Sequence, residues 1–208
     1  MCAACQVTLG IIHCSDCFGT PVWCCGCALE VHSALPFHRT QLLNGKCFLK
    51  TSLFEQGFVI HLGHDGHPCP AHPATSSPWV DVHMHEPNLT REDEDIGEVV
   101  DEILEVPFFT FVPPLQDNVV VIHSGGVCHQ CVQWCICANS PAHHLQLFQT
   151  DLFAASFSRP KTAFTFDVLD HFYVDTMECR IVAVSFFQKL HHFTNNAFPK
   201  TVPVSGCS

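Results

Sequence analysis

Runs of apolar and polar residues divide the chain into short units with different periods. Residues 57–62 (GFVIHL) and 119–123 (VVVIH) are apolar and rich in β-branched side chains, which predicts strands. Gly125-Gly126 separates the second run from residues 127–134, so the pair reads as a hairpin. After Pro141, residues 143–153 have a helical pattern. From Phe164 to Phe193 the apolar positions Phe166, Leu169, Phe172, Met177, Val184, Phe187, Leu190 and Phe193 fall at near-helical spacing, bracketed by Pro160 and Pro199. That stripe is expected to be core, or a surface awaiting a further domain. In residues 91–106, Ile96, Val99, Val100, Ile103 and Leu104 recur at helical spacing with acids on the other face. This predicts a short acidic amphipathic helix, with a solvated surface helix or acidic linker as the plainer reading. Residues 67–87 are rich in Pro and His and read as an irregular loop. Strands and helices segregated in this way predict an α+β fold.

Composition adds a core and removes a membrane. Of 208 residues 47% are hydrophobic and 18 are Phe, enough for a core in the second half of the chain. No apolar stretch approaches the ~18 residues of a membrane span, so a soluble protein is expected. The net charge of −11 is unevenly placed. Residues 61–127 hold one basic residue, Arg91, against twelve acidic ones, while the flanking parts are balanced. Nine Lys and Arg in the whole chain give no visible phosphate-binding patch, and the best local cluster is His38, Arg39, Lys46 and Lys50.

The first 40 residues show a different order, made of cysteine pairs. Cys2/Cys5, Cys14/Cys17 and Cys24/Cys27 have the C-x-x-C spacing, and His32/His38 follow. A tight turn in C-x-x-C sets two thiolates about 3.5 to 4 Å apart, the edge of a tetrahedron around a metal bound at ~2.3 Å. The gaps between pairs are too short to build a hydrophobic core, so a metal is expected to organise this region. Four pairs make two sites. In an interleaved arrangement Cys2, Cys5, Cys24 and Cys27 would hold one ion and Cys14, Cys17, His32 and His38 the other; spacing alone leaves sequential pairing open. Cys25 is the expected spare. A disulfide framework is the rival, given 15 cysteines. The odd count, the absence of a signal-peptide pattern, and histidines where further cysteines would be needed all oppose it.

A later group of ligands is looser. The segment HLGHDGHPCP at residues 61–70 and the cysteines at the end of the hairpin would meet if strand and hairpin pair, joining His64, Cys69, Cys135 and Cys137 in a further site. His61, His67, His129, Cys128 and Cys131 are alternatives for it. If no metal binds, these are buried thiols packing as small hydrophobes. Cys47, Cys179 and Cys207 have no partner by spacing.

Enzyme signatures are lacking. The sequence has no H-E-x-x-H, Walker A lysine loop, G-x-S-x-G, or deaminase pairing of H-x-E with P-C-x-x-C. Asp167, Asp170, Asp175 and Glu178 lie at helical spacings and read as an exposed helix face rather than a metal-binding carboxylate triad. Catalysis is not expected.

The ladder CxxC…CSDC…CCGC…H…PFHR resembles a B-box-like zinc module. The segments TSLFEQGFVIHLGHDGHPCP, GGVCHQCVQWCIC and RPKTAFTFDVLDHFYVDTMEC are similar, in that order, to the second class of CxC-type cysteine-cluster domain, which precedes the catalytic region of fungal KDZ (Kyakuja-Dileera-Zisupton) transposases. The resemblance spans residues 2–198. It implies zinc ligands at the eight ladder positions and favours His64, Cys69, Cys135 and Cys137 for the later site, leaving His61 and Cys131 out. It also implies residence in the nucleus. Because the family pattern would continue beyond Pro199 into a transposase core, a truncated copy without that core is expected.

The expected organisation is a B-box-like two-zinc module over 1–45 and a short antiparallel β-rich cysteine and histidine region over 46–140 with an acidic insert at 86–118. A helical region over 141–198 and a tail at 199–208 complete it. Two zinc ions are expected, with a third at the later site. A binding function remains, with a protein partner or self-association favoured by the charge and DNA as the alternative; no small-molecule substrate is expected.

Overall fold

The computed structural model describes residues 1–72 and 117–195. The expected acidic helix at 91–106, most of the acidic insert and the tail lie outside these residues, as does most of the Pro/His-rich loop.

The N-terminal part is a four-stranded antiparallel sheet with one short helix. Strands β1 (Ile12–Cys14), β2 (Val22–Trp23), β3 (Thr40–Leu43) and β4 (Phe48–Thr51) are arranged in the order β2-β1-β3-β4. Helix α1 (Cys25–Val31) follows β2 directly. Buried side chains here are few: Ile12, Trp23 and Ala28 pack with Cys2 and Cys14. A cluster this small supplies little hydrophobic stabilisation, in keeping with a region organised around its cysteines.

The second sheet has five strands in the order β5-β7-β6-β9-β8. They are β5 (Val59–His61), β6 (Asp117–His123), β7 (Gly126–Gln133), β8 (Leu152–Ala154) and β9 (Thr162–Thr165). The β6–β7 pair is the hairpin foreseen around Gly125-Gly126. Helix α2 (His143–Phe148) precedes β8, and α3 (Phe166–Cys179) and α4 (Ala183–Thr194) follow β9. Two cores form. One joins Leu62, Val119, Val121, Val132 and Trp134 to Leu147, Leu152 and Ala163; the other joins Ile122, Val127 and Val168 to Phe186 and Leu190 of α4.

Three expectations need correction. The β unit is not a short antiparallel one, since β5 pairs parallel with β7 and β6 parallel with β9. Residues 143–153 are not one helix: α2 ends at Phe148, Asp151 takes a left-handed φ of 58°, and Leu152–Ala154 joins the sheet beside β9. The region 141–198 is therefore not wholly helical, because pairing with strands distant in sequence overrides the local pattern. The long stripe from Phe164 is likewise divided. Thr162–Thr165 is a strand, Thr165 caps α3 by accepting from the Val168 N–H, and Arg180 at φ 53° ends α3 before α4 begins. The stripe's expected role as core holds for Leu190, with Leu169, Phe172 and Phe187 packed part-buried against the same core, whereas Met177, Val184 and Phe193 are exposed.

Candidate metal centres

The twelve cysteines and histidines singled out above fall into three groups of four. They are Cys2, Cys5, Cys24 and Cys27; Cys14, Cys17, His32 and His38; and His64, Cys69, Cys135 and Cys137. Within each group all candidate ligand atoms lie within 4.8 Å of one another.

Backbone geometry builds the first group from two knuckles. Cys2 donates its N–H to the Thr8 carbonyl at 2.8 Å and accepts from the Gln6 N–H at 3.1 Å, folding the Cys2–Cys5 turn back on itself. Gln6 completes the turn at φ 56°. Cys24 is the N-cap of α1 and Cys27 sits in its first turn, so the helix start presents both thiols to one point. The Cys5 and Cys24 sulfurs are 4.0 Å apart.

The interleaved arrangement follows from α1. Its start serves the first group, and His32, immediately after its last residue, serves the second. His32 is fully buried, and its Nδ1–H donates to the Ala28 carbonyl at 2.7 Å. That bond fixes the tautomer and turns Nε2 toward Cys17, 3.5 Å away. Strand β1 delivers Cys14, and the turn after it brings Cys17 to 3.5 Å from His38 Nδ1, the same separation as Cys14. Asp16, inside this knuckle, accepts from the Arg39 backbone N–H at 2.6 Å and from its guanidinium, so the knuckle grips the segment carrying His38. Burial opposes ionisation of Asp16, but the Arg39 bonds outweigh it and hold the carboxyl below its ordinary range.

Parallel pairing makes the third group. Register pairs Ile60 with Val132 and His61 with Gln133, so both strands run out at the same end of the sheet. Gly63 and His64 then lie beside Cys135 and Cys137; an antiparallel pair would send these segments to opposite ends. His64 Nε2 is 3.3 Å from the Cys135 sulfur and 3.4 Å from that of Cys137. Cys69 closes the set at 3.8 and 3.7 Å from the same two sulfurs. Gln146 of α2 is buried and grips Cys135 on both sides, accepting from its N–H at 2.8 Å and donating to its carbonyl at 3.0 Å.

These separations have a physical reference. Zinc at ~2.3 Å from sulfur and ~2.0 Å from nitrogen sets tetrahedral edges of about 3.8 Å between two thiolates and about 3.5 Å between thiolate and imidazole. The sulfur–sulfur distances of 3.7–4.0 Å and sulfur–nitrogen distances of 3.3–3.5 Å match those edges. A disulfide would need about 2.05 Å. The thiols also perturb one another in opposite senses. Hydrogen bonds from the Thr8 hydroxyl and from the Thr8 and Val7 backbones bring Cys5 down to about 5, while its hydrogen-bonded neighbour Cys24 pushes Cys27 up to about 12. Burial pushes Cys69 up, yet the Ile136 and Ala71 N–H groups prevail and bring it to about 6; contact with Cys69 and Cys135 pushes Cys137 up to about 11. In the second group burial and Cys14 push Cys17 up to about 11. Several thiolates crowded this closely resist joint ionisation, and a divalent cation removes the conflict. The three groups could each hold a metal ion, with donor sets that suit zinc.

The alternative ligands go elsewhere. His61 Nδ1 bonds to the Gln133 side chain at 2.6 Å. Cys128 contacts the Val121 carbonyl and packs against the core, and burial pushes its thiol up to about 12; Cys131 is buried and pushed up to about 11 for the same reason. Cys25 faces the Gln56 side chain at 3.9 Å. His67 and His129 are exposed and outside the third group. Pattern reading missed the residues that hold the ligands: Asp16, Arg39, Gly63 and Gln146. Only the Asp inside CSDC and the Gly inside HLGH carried a signal for them.

Residues 110–198 match a family model described as "CxC2 like cysteine cluster associated with KDZ transposases". Of the twelve candidate ligands, Cys135 and Cys137 lie inside the match. No curated protein and no solved structure matches the chain.

Proposed function

We propose that this chain, whose residues 110–198 carry the CxC2 like cysteine cluster associated with KDZ transposases, is a zinc-binding accessory domain that works by engaging another protein and performs no catalysis itself. The zinc reading rests on one observation above the rest: three separate groups of four ligand atoms each gather within 4.8 Å, with sulfur–sulfur and sulfur–imidazole separations close to zinc edge lengths among them. Two ions organise the N-terminal part, which we take as a B-box-like module, and a third fastens β5 to the end of β7.

Charge supports a protein partner, or self-association, over DNA. Of the best basic cluster, His38 belongs to a ligand group and Arg39 is bound to Asp16. Of that cluster this leaves Lys46 and Lys50 to meet phosphates, and affinity for DNA depends on such contacts. Each thiolate carries one negative charge and each imidazole none. Loaded with zinc, the first group (all cysteine), the second (cysteines and histidines in equal number) and the third (a single histidine) therefore carry formal charges of roughly −2, 0 and −1, so metal adds no positive surface. The alternative, recognition of transposon or chromosomal DNA, draws on the transposase association. Residence in the nucleus belongs to either reading. Among the described residues, no helix is long and apolar enough to cross a membrane.

Metal analysis of purified protein tests the zinc assignment. Three ions per chain are expected; two would confine zinc to the N-terminal groups, and less than about one would overturn the proposal. Titration with duplex DNA at 50 mM salt should give no shift, and a shift with steep salt dependence would favour the DNA reading.

A further inference from the structure

Helix α3 has two faces, and both carry apolar residues. Val168, Leu169 and Phe172 turn inward to the α4 core. On the adjoining outward side Phe166, Tyr173 and Met177 follow one another at i, i+7 and i+11, a straight line along a helix. Tyr173 is 65% exposed and Met177 64%. The line continues past the helix start, because Phe166 meets Phe148 edge-on at 5.6 Å and Phe153 of β8 at 6.5 Å. Phe148 is 55% exposed and Phe153 42%. Apolar side chains this open, with the ring cluster of Phe148, Phe153 and Phe166 leading to the line of Tyr173 and Met177, are the mark of an interaction surface.

Acids border the strip. Asp167, Asp170 and Glu178 lie on the exposed side of α3, and the helix contains no Lys or Arg. Among the described residues Asp175 is paired with Lys189, and the rim acids have one ion-pair partner, His171, 3.5 Å from Asp167. A second copy of this surface would bring its own acidic border and no Lys or Arg from α3, so it offers no complementary charge, which disfavours a symmetric dimer. The acidic stretch of the chain's own central region is repelled in the same way, and so is nucleic acid.

We infer that the Phe148–Phe153–Phe166–Tyr173–Met177 strip is a docking site for a cationic amphipathic segment of a partner protein, whose apolar side lies along the strip while its Lys or Arg residues meet Asp167, Asp170 and Glu178. This inference rests on the protein-interaction reading above and names the surface and the partner's chemistry.

The test uses the full zinc-loaded chain and a fluorescein-labelled 14-residue leucine–lysine peptide of helical spacing, followed by anisotropy. The peptide is expected to bind, and Tyr173→Ala and Met177→Ala each to weaken binding about fivefold or more. Asp170→Lys should weaken it about tenfold at 50 mM salt and less at 300 mM. All three positions are exposed, so zinc content and melting temperature should stay unchanged. Equal binding of an oligolysine of the same length, or unchanged affinity of the variants, would overturn the docking site. If Phe18→Ala, at the tip of the Cys14–Cys17 knuckle, weakened binding instead, the chain would still be a protein-interaction module and this surface the wrong one. Sedimentation showing a dimer that Met177→Ala dissolves would make a second copy the occupant and refute the partner class. Failure of the peptide to bind, with duplex DNA bound, would overturn both this inference and the reading beneath it.

Discussion

Gly63→Ala should remove one metal and leave the other two. Gly63 has φ 80° and ψ 178°, a region of backbone space open almost solely to glycine, where an L-residue costs about 1–3 kcal/mol. A Cβ built there lies 3.0 Å from the Cβ and 3.6 Å from the sulfur of Cys135. The added methyl must therefore push Cys135 away from His64 and Cys69, or push its own segment out of register with β7. Misplacing one ligand of four adds roughly 1 kcal/mol or more to the backbone cost. Together about 2–4 kcal/mol is withdrawn from metal binding at the third group, which weakens it between about thirtyfold and a thousandfold. The assay is competition against a chromophoric zinc chelator, which should resolve one labile ion in the variant and none in the parent. Gly26→Ala is the control, since a Cβ there meets nothing within 4 Å and the residue lies inside α1; it should leave all three ions in place. Retention of three ions by Gly63→Ala with an unchanged competition curve would refute the claim that this close approach shapes the site.

Three further outcomes are expected. Cys14→Ser should lose one zinc per chain and lower the melting temperature, while Cys25→Ser should retain the parent stoichiometry; equal effects would mean that the wrong cysteine has been counted as the spare. Gln146→Leu leaves the buried N–H and carbonyl of Cys135 without partners, at about 1–3 kcal/mol for each, and chemical denaturation should show a loss of about 2–6 kcal/mol. Burial lowers the pKa of His123 to about 4 from 6.5, so the unfolded chain takes up the proton first as pH falls. Its contribution is fully present above pH 6.5 and is lost between 6.5 and about 4, by up to about 3 kcal/mol, and His123→Phe should flatten the difference in acid stability over that window.

What could be read from the chain follows from which forces act locally. C-x-x-C spacing is a local property, so the pairs were evident, but which pairs share a point depends on α1 reaching from one group to the next. The hairpin around Gly125-Gly126 was legible because its turn and both strands are contiguous. β5 was visible as an apolar run, yet its parallel partner lies some 70 positions away, and no period in either segment reports direction. β8 and β9 were taken for helix because they are three and four residues long, too short to display a two-residue period beside Phe-rich helical neighbours. The break between α3 and α4 was hidden for another reason. Arg180 occupies the left-handed position where Gly or Asn is the usual signal. Thr165, three residues before the Val168 it caps, was a start signal that could have been used.

The seven residues of α1 set a strict tolerance on the spacing of the chain. Cys24 and Cys27 at its start and His32 just past its end belong to different groups of ligands, so the helix is a fixed spacer between them. One residue inserted between Cys27 and His32 would rotate His32 by about 100° about the helix axis and advance it by about 1.5 Å, breaking the bond to the Ala28 carbonyl and carrying Nε2 away from Cys17. Single substitutions on the outer side of this helix can be absorbed, whereas a change of length by one cannot. Insertions and deletions within residues 24–32 should therefore be lethal to the second group at any sequence, and a full turn of three or four residues would restore the direction of the imidazole but not its depth.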